Sequence, residues 1–431
     1  MREMKDSGIQ WLREYPANWD LIKIKYCLKE RVEKNNPVRT TDILSLTAKQ
    51  GVIPYDQKEG GGNKPKEDVS AYRLAYPGDI VMNSMNILSG SVGLSNYFGC
   101  VSPVYYMLRP IDTSEDVRFY NYIFQSTVFQ RSLYGLGNGI LIKESGNGKL
   151  NTIRMRIPID KFGGLFIPVA PIQEQKRIAN FLDAKCAEID ALTADIQTQI
   201  DILEQYKRSV ITEAVTKGLN LDAEMKDSGI EWIGEIPATW DIIRGKYLLE
   251  YLQKPVKEDD GVITCFRDGE VTLRSNRRED GFTMSDKEIG YQGIDAGDLV
   301  VHGMDGFAGA IGISDSRGKA SPVLNVIDTK QNKRYIMYYL RSMAYSDVFV
   351  ALATGIRVRS CDLRWNKLAD LPYPVPSIEE QTAIVEYIDT TLEKMDVVIS
   401  KKKAQLETLD EYKKSLIYEY VTGKKEVPEN A

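Results

Sequence analysis

The feature that most constrains this chain is an internal repeat, because a sequence built from two copies of one unit is expected to form two similar domains. Residues 4–28 read MKDSGIQWLREYPANWDLIKIKYCL, and residues 225–249 read MKDSGIEWIGEIPATWDIIRGKYLL. Of these 25 aligned positions, 16 are identical at a numbering offset of 221, which chance does not produce. The length of 431 residues allows two or three domains, each with its own core.

The repeat continues along the whole chain. Pro77–Val81 aligns with Ala296–Val300 at an offset of 219, and Ile172–Gln175 aligns with Ile378–Gln381 at an offset of 206. The offset falls by 13 between these two motifs, which predicts an insertion of that length in the first copy, around 135–164. The two copies can therefore be compared position by position.

Each copy begins with a globular part, residues 1–166 in the first and 225–373 in the second. These parts contain short runs of Gly, Tyr, Val and Ile broken by turn residues, which favours a mixed, strand-rich domain. Ile80–Met82 and Leu299–Val301 each follow a Gly-Asp turn and are predicted to be buried strands. A helix is predicted over Val117–Leu133.

Each copy ends with a long helix, because residues 172–216 and 378–422 contain neither Pro nor Gly and follow Pro-rich entries. At 1.5 Å per residue each helix would be about 65–70 Å long. Apolar residues seven apart predict a coiled-coil stripe on both helices. In the first helix the stripe contains Leu182, Ile189, Ile196, Leu203 and Val210, widened by Ile178, Ile200 and Ala214, with a second, partly polar row at Leu192, Gln199 and Tyr206. In the second it contains Ile388, Met395, Leu409 and Leu416, interrupted by Lys402 and supported by Leu392, Val398, Ile399 and Leu406.

Burial within a single domain is the simpler explanation of such stripes. Each helix is, however, several times longer than the average helix of a globular protein, which favours antiparallel pairing of the two helices. The predicted fold class is α+β, with two mixed, strand-rich globular domains separated by two long antiparallel coiled-coil-like helices in a pseudo-twofold repeat. The predicted segments are 1–166 and 225–373 for the globular domains, 167–224 for the first helix, and 374–431 for the second helix and C-terminal tail.

The residue types exclude several kinds of catalytic or metal site. His302 is the only histidine, so a multi-histidine metal site is impossible and a Ser-His-Asp triad could use this residue alone. No pair of the five cysteines has CxxC spacing, which predicts neither a zinc site nor a disulfide framework. Gly146–Leu150 lacks the spacing and the Ser or Thr of a phosphate-binding loop. The chain is therefore expected to bind rather than catalyse, with no cofactor or metal of its own.

The sequence also predicts where the protein resides. Its N-terminus lacks the apolar segment of a secretory signal, and no apolar run approaches the roughly 20 residues that span a bilayer. Cysteines without disulfide spacing suit a reducing compartment. The expected location is the cytoplasm, with no membrane partner.

Charge is segregated between the two kinds of segment. Residues 166–224 carry 6 basic and 10 acidic side chains, and residues 377–431 carry 8 and 12, so each segment has a net charge of −4. Subtracting these two charges from the total of −5 leaves +3 for the globular parts. The globular parts are therefore mildly basic, as expected if they approach an anionic partner such as DNA.

Two basic tracts, 140–161 and 354–367, occupy corresponding places in the two copies. Arginine can contact guanine edges and asparagine adenine, while Lys and Arg hold phosphates. Asn83, Asn86 and His302 lie at or just past a predicted strand end and are candidate base readers. The candidate DNA-binding residues are Lys58, Lys64, Lys66, Asn83, Asn86, Lys143, Lys149, Arg154, Arg156, Arg267, Arg274, Arg277, Arg278, His302, Arg357, Arg359 and Arg364. A solvated surface with scattered charges is the alternative for these runs.

Four tryptophans recur in the two copies and are interpreted as packing residues rather than as platforms for base stacking. They are Trp11, Trp19, Trp232 and Trp240.

Taken in order, these motifs resemble the specificity subunits of type I restriction-modification systems. The motifs are MKDSGIxWxxxxPxxW, a Gly-Asp-Ile/Leu-Val segment, and Pro-x-x-x-Ile-x-Glu-Gln leading into a long helix. They lie at Met4–Trp19 and Met225–Trp240, at Gly78–Val81 and Gly297–Val300, and at Pro168–Gln175 and Pro374–Gln381. Their order, occurring twice, covers nearly the whole chain.

The resemblance implies two target-recognition domains that each read one half of a bipartite double-stranded DNA target. It also implies that the long helices set the spacer between the halves and dock two adenine-N6 methyltransferase subunits. Two ATP-driven restriction subunits, which translocate and cut DNA, would complete the restriction form. S-adenosylmethionine, ATP and Mg²⁺ are then expected on these partners, and the chain itself is not expected to be an enzyme. Recognition domains of the family vary greatly, so no base-contacting residue is carried over.

Two other functions remain open at this point. A coiled-coil adaptor that holds two protein-binding domains, without DNA, would also suit the long helices and the acidic total charge. A self-contained nuclease or methyltransferase is disfavoured by the single histidine and by the missing Asn-Pro-Pro-aromatic or Asp-Pro-Pro-aromatic motif.

Overall fold

The computed structural model of the protein describes residues 2–47, 50–58, 65–137, 143–144, 150–151, 156–277, 289–352 and 363–428. The chain divides into two compact units. Unit 1 consists of Met1–Asp195 and Ala404–Ala431, and unit 2 of Ile196–Lys403. Each unit thus combines the globular part of one copy with helix segments from both copies. The insertion predicted around 135–164 includes 138–142, 145–149 and 152–155, which lie outside the described residues.

In the described part of unit 1, the strands in chain order are β1 (Met4–Asp6), β2 (Glu14–Pro16), β3 (Asp20–Lys23), β4 (Leu28–Glu30), β5 (Leu44–Thr47), β6 (Gly51–Pro54), β7 (Arg73–Ala75), β8 (Ile80–Asn83), β9 (Val92–Leu94), β10 (Gly99–Val101), β11 (Tyr105–Pro110), β12 (Lys143–Glu144), β13 (Leu150–Asn151) and β14 (Phe166–Val169). The helices are α1 (Ile24–Cys27), α2 (Val117–Gln125), α3 (Thr127–Ser132), α4 (Ile159–Gly163) and α5 (Ile172–Lys217), which continues into unit 2. Single 3-10 turns lie at Tyr55–Gln57 and Ile87–Ser89.

In the described part of unit 2, the strands are β15 (Met225–Asp227), β16 (Glu235–Pro237), β17 (Asp241–Arg244), β18 (Leu249–Leu252), β19 (Ile263–Cys265), β20 (Val271–Leu273), β21 (Gln292–Ile294), β22 (Leu299–His302), β23 (Ile311–Ile313), β24 (Gly318–Ala320), β25 (Leu324–Thr329) and β26 (Pro372–Val375). The helices are α6 (Gly245–Leu248), α7 (Lys333–Tyr345), α8 (Val348–Ala351), α9 (Trp365–Asp370) and α10 (Ile378–Val421), which continues into unit 1. Single 3-10 turns lie at Arg274–Asn276 and Gly306–Ala308.

Both units are built around the same antiparallel four-stranded sheet. Its strand order is β4-β11-β8-β9 in unit 1 and β18-β25-β22-β23 in unit 2. The predicted buried strands β8 and β22 occupy equivalent inner positions, and Ile80 and Leu299, with the two residues after each, are fully buried. Each follows a turn in which Gly78 or Gly297 adopts a positive φ, of +85° or +89°. Glycine adopts this conformation without the steric cost that a side chain would carry, so the Gly-Asp turn is confirmed as the start of these strands.

The two long helices pair antiparallel within each unit. In unit 1 the rings of Phe181 and Tyr420 are 4.5 Å apart, and Lys413 Nζ lies 2.6 Å from Asp190 Oδ1. In unit 2 Lys207 Nζ lies 2.6 Å from Asp396 Oδ1. Residue numbers thus rise along α5 where they fall along α10. The α+β fold with two long antiparallel helices, predicted from the heptad spacing, is confirmed.

The seven-residue stripe is buried as predicted at most positions. In α5 the residues Leu182, Ile189, Ile196 and Val210 are buried, and in α10 so are Ile388, Met395 and Leu416. Lys402, which interrupts the stripe, donates a hydrogen bond to the Gln199 side chain within unit 2. The pairing therefore accommodates one lysine by giving it a polar partner, as heptad stripes with a single polar residue do.

Three apolar residues assigned to supporting rows are exposed instead. Leu192, Tyr206 and Val398 are 47%, 54% and 42% exposed. Each of the three follows a stripe residue by three positions, whereas Ile200 and Ile399, which follow stripe residues by four, are buried. The buried face is therefore narrow and widens on the side four residues ahead. The assignment of Leu192, Tyr206 and Val398 to the buried face was wrong.

The helix predicted over Val117–Leu133 is broken into α2 and α3. Ser126, between them, has φ −59° and ψ 120°, which is not helical. The continuous helix prediction was therefore wrong at this residue. The second copy is also divided here, since α7 (Lys333–Tyr345) is followed by the separate short helix α8 (Val348–Ala351).

The recurring tryptophans and the Glu-Gln motif connect each globular part to the long helices. Trp19 Nε1 donates to Glu174 Oε2 (2.8 Å), and Trp240 Nε1 donates to Glu380 Oε1 (3.0 Å). Both of these tryptophans are buried, as is Trp11. Trp232, however, is 37% exposed and is therefore not a core residue.

The glutamines of the same motif are buried and use both ends of their amides. Gln175 accepts a hydrogen bond from the Asp116 backbone N–H at 3.1 Å and donates to the Ala170 carbonyl at 2.9 Å. Gln381 makes the equivalent bonds to Asn332 and Pro376, each at 2.9 Å. These contacts fix the first turn of α5 and of α10 against the globular part of the same unit.

Candidate nucleic-acid interface

Several of the predicted DNA-binding residues lie outside the described part of the chain. They are Lys64, Lys149, Arg154, Arg278, Arg357 and Arg359. Lys143 lies in β12, of which only the backbone is described. Their contacts with DNA stay predictions, and the surface is built here from the remaining candidates.

In unit 1 the site begins at the turn that follows β8. Asn83, the last residue of this strand, is buried, and its Oδ1 accepts a hydrogen bond from the Met85 backbone N–H at 3.0 Å. Asn86 precedes the next 3-10 turn, and its side chain is exposed. Asn83 therefore shapes the turn, while Asn86 is the residue that faces solvent.

In unit 2 the equivalent turn is shaped by His302. Its Nδ1 accepts hydrogen bonds from the backbone N–H groups of Met304 (3.2 Å) and Asp305 (3.0 Å). Burial lowers the pKa of His302 below its usual value of 6.5, opposed by the nearby charge of Asp305. A neutral imidazole that accepts at Nδ1 carries its proton on Nε2, which lies 3.9 Å from Asp305 Oδ2.

Asn83 and His302 thus hold the same position in the two copies and make the same kind of bond. The sequence comparison signals this equivalence, since the offset of 219 that aligns the preceding strands also aligns Asn83 with His302 and Met85 with Met304. Their hydrogen bonds to the turn were not predicted, because a polar residue after a strand was interpreted only as a possible contact to a ligand. Whether either also contacts DNA stays a prediction.

Each turn is joined by the end of the basic tract of its own unit. In unit 1 the Ile157 backbone N–H donates to the Ser84 carbonyl at 3.0 Å, which puts the exposed Arg156 beside the turn. In unit 2 the Leu363 N–H donates to the Gly303 carbonyl at 2.8 Å, with Arg364 next in sequence. The structure therefore brings two predicted elements together, the strand-end turn and a basic segment.

Side chains from the neighbouring strand hold these segments in place. Tyr106 on β11 donates through its hydroxyl to the Ile157 carbonyl at 3.1 Å. Asn325, at the equivalent position of β25, donates to the Leu363 carbonyl at 3.0 Å. A Cβ on Gly303 would lie 3.9 Å from Cγ of Arg364, so the arginine stem packs directly over the turn.

Arg267 belongs to the same surface of unit 2. Its guanidinium lies 2.8 Å from Asp305 Oδ1, on the turn that His302 shapes. Arg277 is held elsewhere, by Asp268 at 2.5 Å and Glu270 at 2.9 Å, and it stacks over the Phe266 ring. These bonds lower the pKa of Asp268, with the Arg277 hydrogen bond as the largest cause. The charge of Arg277 is therefore balanced locally.

The other described candidates are not placed at the strand-end turns. Arg274 begins a 3-10 turn, and its Nε lies 3.4 Å from the Thr264 hydroxyl. Lys58 Nζ lies 5.8 Å from the centre of the Tyr55 ring, and Lys66 is exposed. Lys58 and Lys66 flank residues 59–64, a segment distinct from the turn after β8.

This arrangement gives each unit a solvent-facing turn bordered by a basic segment. A turn that presents Asn86 in one unit and His302 with Arg267 in the other offers different hydrogen-bonding groups to a ligand. Such differences suit the reading of two different base sequences, while nearby cations suit phosphates. Across the part of the chain that the structure describes, no cluster of three His, Cys, Asp or Glu side chains could hold a metal ion. Over the same residues, no helix is long and apolar enough to cross a membrane.

Two curated relatives are type I restriction enzyme specificity subunits of Methanocaldococcus jannaschii. The MjaVIII specificity subunit is 26% identical over 285 residues, which cover 62% of this chain and 64% of that protein. The putative MjaX specificity subunit is 26% identical over 272 residues, which cover 60% of this chain and 59% of that protein. The chain is thus matched over a little under two thirds of the length of these relatives. No family model matches it.

A solved structure shares the fold over almost the whole chain. It is described as the structural basis of complex assembly and conformational transition of the type I R-M system. The TM-score is 0.66 at 12% sequence identity, over 95% of this chain and 99% of that chain. The resemblance drawn from the sequence motifs is confirmed by the names of the curated relatives, and the predicted fold is confirmed by this structure.

Proposed function

We propose that this protein is the DNA sequence-specificity subunit of a type I restriction-modification complex. In this role each unit reads one half of a bipartite DNA target. The observation that carries the proposal is the similarity to two curated specificity subunits, in a chain whose two copies present equivalent turns bordered by basic segments. The same turn carries different side chains in the two units, as reading two different half-sites requires.

The chemistry of modification and cleavage is assigned to partner subunits. Two methyltransferase subunits would dock on the long helices and flip the target adenine out of the DNA stack. Two restriction subunits would add ATP-driven translocation and cleavage. S-adenosylmethionine, ATP and Mg²⁺ would be bound by these partners, while this chain supplies the base readers and the phosphate contacts that hold the complex on its target.

The decisive experiment expresses the full-length chain with its methyltransferase partner and maps methylated adenines across a genome. The expected pattern is a split motif with a fixed spacer. Replacing residues 1–166 with the corresponding domain of another specificity subunit should change one half of the motif, and replacing 225–373 should change the other. A pattern without two halves, or one that both replacements leave unchanged, would contradict the proposal.

The long helices are proposed to set the spacer between the two halves. Two readers joined by a stiff connection can engage one duplex only at a matching half-site separation, which raises the effective concentration of the second reader. Inserting four residues into both α5 and α10 adds one helical turn, about 6 Å. The mapped spacer should then lengthen by about two base pairs, or methylation should stop. An unaltered spacer with full methylation would mean that the helices do not set it.

An adaptor that holds two protein-binding domains without DNA is not favoured, because the curated relatives are named specificity subunits. The two functions differ in one simple measurement. The complex of this chain with its methyltransferase partner should retain duplex DNA in an electrophoretic assay, less so as salt rises. A complex that assembles but retains no duplex would favour the adaptor.

A further inference from the structure

The two copies of the repeat show which surface residues both units retain. Helices α1 and α6 occupy equivalent positions in the aligned copies, and both present the dipeptide Lys-Tyr to solvent. Tyr26 is 65% exposed and Tyr247 is 76% exposed. Lys25 and Lys246, which precede them, are exposed as well. An aromatic ring exposed to this extent contributes little to the core of either unit.

The buried residues of the same two helices have changed. Ile24 and Cys27 face the core in α1, and the equivalent positions in α6 are Gly245 and Leu248. Packing usually constrains buried positions more than exposed ones. Here the exposed Lys-Tyr pair is identical in the two helices, whereas the buried residues differ. The pair is therefore retained for a role at the surface rather than for folding.

In each pair the lysine lies over the tyrosine ring. Lys25 Nζ is 5.1 Å from the centre of the Tyr26 ring, and Lys246 Nζ is 5.0 Å from that of Tyr247. Contacts between a cation and a ring at exposed sites are weak, about 0.5–1 kcal/mol. They hold the ammonium group and the ring side by side without neutralising the charge, which leaves a cation and a phenolic hydroxyl available to one ligand.

In both units the pair lies against the short helix that follows the basic segment. Helix α1 packs on α4, where a Cβ on Gly163 would lie 3.2 Å from Cβ of Lys25. Helix α6 packs on α9, and the Gly245 N–H donates to the Leu371 carbonyl at 2.9 Å. Helix α4 begins three residues after Arg156 and α9 directly after Arg364, so each pair packs on the short helix that continues the basic segment of its unit.

In unit 1 the patch extends to a second pair of the same kind. Lys23 Nζ lies 5.1 Å from the centre of the Phe166 ring, which is 40% exposed. The equivalent of Lys23 in unit 2 is Arg244, so a cation is retained at this position too. In both units, the Lys-Tyr pair and the neighbouring Lys23 or Arg244 therefore present cations that are complementary to an anionic surface.

We propose that Lys25 with Tyr26, and Lys246 with Tyr247, are the sequence-independent contacts that hold the two units on the DNA backbone. The lysine neutralises a phosphate and the tyrosine hydroxyl donates to a phosphate oxygen. Residues that read different half-sites must differ between the copies, whereas phosphates are the same in any sequence and can be held by identical residues. The inference rests on the proposed function. A protein partner fits less well, because lysine is depleted at the centre of protein interfaces.

The test measures the affinity of the complex for random-sequence duplex DNA over a range of salt from about 50 to 200 mM. The variants are Lys25→Ala, Lys246→Ala and the double variant, each in the full-length chain with its methyltransferase partner. Each lysine lost should lower the slope of log affinity against log salt by about 0.9, and the methylated sequence motif should stay the same. Tyr26→Phe and Tyr247→Phe should weaken binding without changing the slope.

Lys330→Ala is the matched control. Lys330 is exposed and follows β25 in unit 2, its removal changes the charge by the same amount, and its equivalent in the first copy is Ile111. Its slope should match that of the unchanged complex. If the wild-type complex binds duplex but the Lys25 and Lys246 variants keep its slope, the inference fails and the proposed function stands.

Two other outcomes would also overturn the inference. If the double variant no longer co-purifies with the methyltransferase while Lys330→Ala does, the pairs dock a protein instead of DNA. If the wild-type complex binds no duplex at all, both the inference and the proposed function fail.

Discussion

Single residues at equivalent positions keep one structural role while their chemistry differs. In the turn that follows a buried strand, the Asn83 side chain accepts one backbone N–H and the His302 side chain accepts two. Tyr106 and Asn325 each donate to the carbonyl of the segment that packs on this turn. A duplicated unit can thus change the groups that it presents to a ligand without changing the backbone that carries them.

This equivalence predicts the outcome of exchanging the two residues. His302→Asn should leave the stability of unit 2 nearly unchanged, because an asparagine already shapes the same turn at position 83. His302→Ala should destabilise unit 2 by about 1–2 kcal/mol, since two backbone N–H groups lose their acceptor. Urea unfolding of both variants measures the difference. Equal losses would mean that the side-chain acceptor does not hold the turn.

The same pair of variants tests whether His302 reads a base. If Nε2–H contacts DNA, His302→Asn should alter one position in one half of the methylated motif while the protein stays folded. An unchanged motif in a stable His302→Asn protein would remove His302 from the candidate base readers and leave its structural role.

An ionic network in unit 2 predicts a dependence of stability on pH. Asp295 lies 2.8 Å from Lys254 Nζ and 2.6 Å from the Arg317 guanidinium. Their hydrogen bonds, that of Lys254 first, lower the pKa of Asp295 from 3.8 to about 2. A carboxyl group whose pKa is depressed by folding stabilises the fold above its ordinary pKa, and this contribution is lost as the pH falls through the lowered value.

Asp295→Asn should therefore be less stable than the wild-type protein near neutral pH. Because the carboxylate is 46% exposed, solvent screening limits the expected deficit to about 0.5–1 kcal/mol. The deficit should shrink as the pH drops below 3.8 and be largely gone near pH 2. Urea unfolding at a series of pH values measures it, and a deficit that stays constant to pH 2 would contradict the assignment.

At the scale of elements, the Glu and Gln of the motif that begins each long helix make different contacts. The glutamate binds the indole of the buried tryptophan, and the glutamine joins the start of α2 or α7 to the Pro-rich entry. Two neighbouring side chains thus orient a helix of more than forty residues against a globular part. The motif recurs because both helices need this junction.

Gln175→Ala should weaken the contact between α5 and the globular part of unit 1, and Gln381→Ala should weaken that between α10 and the globular part of unit 2. Both side chains are buried, and truncation leaves a backbone N–H and a carbonyl without their partner, at a cost of about 1–3 kcal/mol. Hydrogen exchange should increase at Asp116 in the first variant and at Asn332 in the second. Exchange that rises equally in both units for either variant would contradict a local junction.

The sequence predicted those elements whose pattern is long and regular. The second helix was expected over 378–422 and spans Ile378–Val421, because absence of Pro and Gly and a heptad stripe mark it over many turns. The break at Ser126 was not predicted, since neither Pro nor Gly marks it and the backbone there is decided by packing. The edge of the buried stripe at Leu192 and Val398 was also missed, because burial depends on where the partner helix lies.

The candidate site was predictable only in part. The repeat and the charge pattern singled out the strand-end turns and the basic tracts, and the structure joins Ile157 to Ser84 and Leu363 to Gly303. The roles of Asn83 and His302 in the turn could not be read from one sequence, since a polar residue after a strand suits either a turn or a ligand. Comparison of the two copies supplies that information.

At the scale of the whole molecule, neither copy of the repeat completes a unit by itself. The core of unit 1 contains Leu416, Ile417, Tyr420 and Val421, from the end of α10. The core of unit 2 contains Ile211, Ala214 and Val215, from the end of α5. The glycine after each long helix packs in the same way on a globular part. A Cβ on Gly423, after α10, would meet Pro16 and Trp19, and a Cβ on Gly218, after α5, would meet Trp240. Each globular part is therefore finished by the helix end that belongs to the other copy.

This exchange of helix ends predicts that matched substitutions act on the unit to which the helix end belongs, not on the copy in which the residue is encoded. Ile417→Ala, in the second copy, should destabilise unit 1, and Ile211→Ala, at the equivalent position of the first copy, should destabilise unit 2. Both side chains are buried, and removal of a buried isoleucine costs about 2–5 kcal/mol. Segment-resolved hydrogen exchange should locate the loss at β8 and β11 for Ile417→Ala and at β22 and β25 for Ile211→Ala. Loss of protection in the opposite units would mean that each copy folds on its own helix.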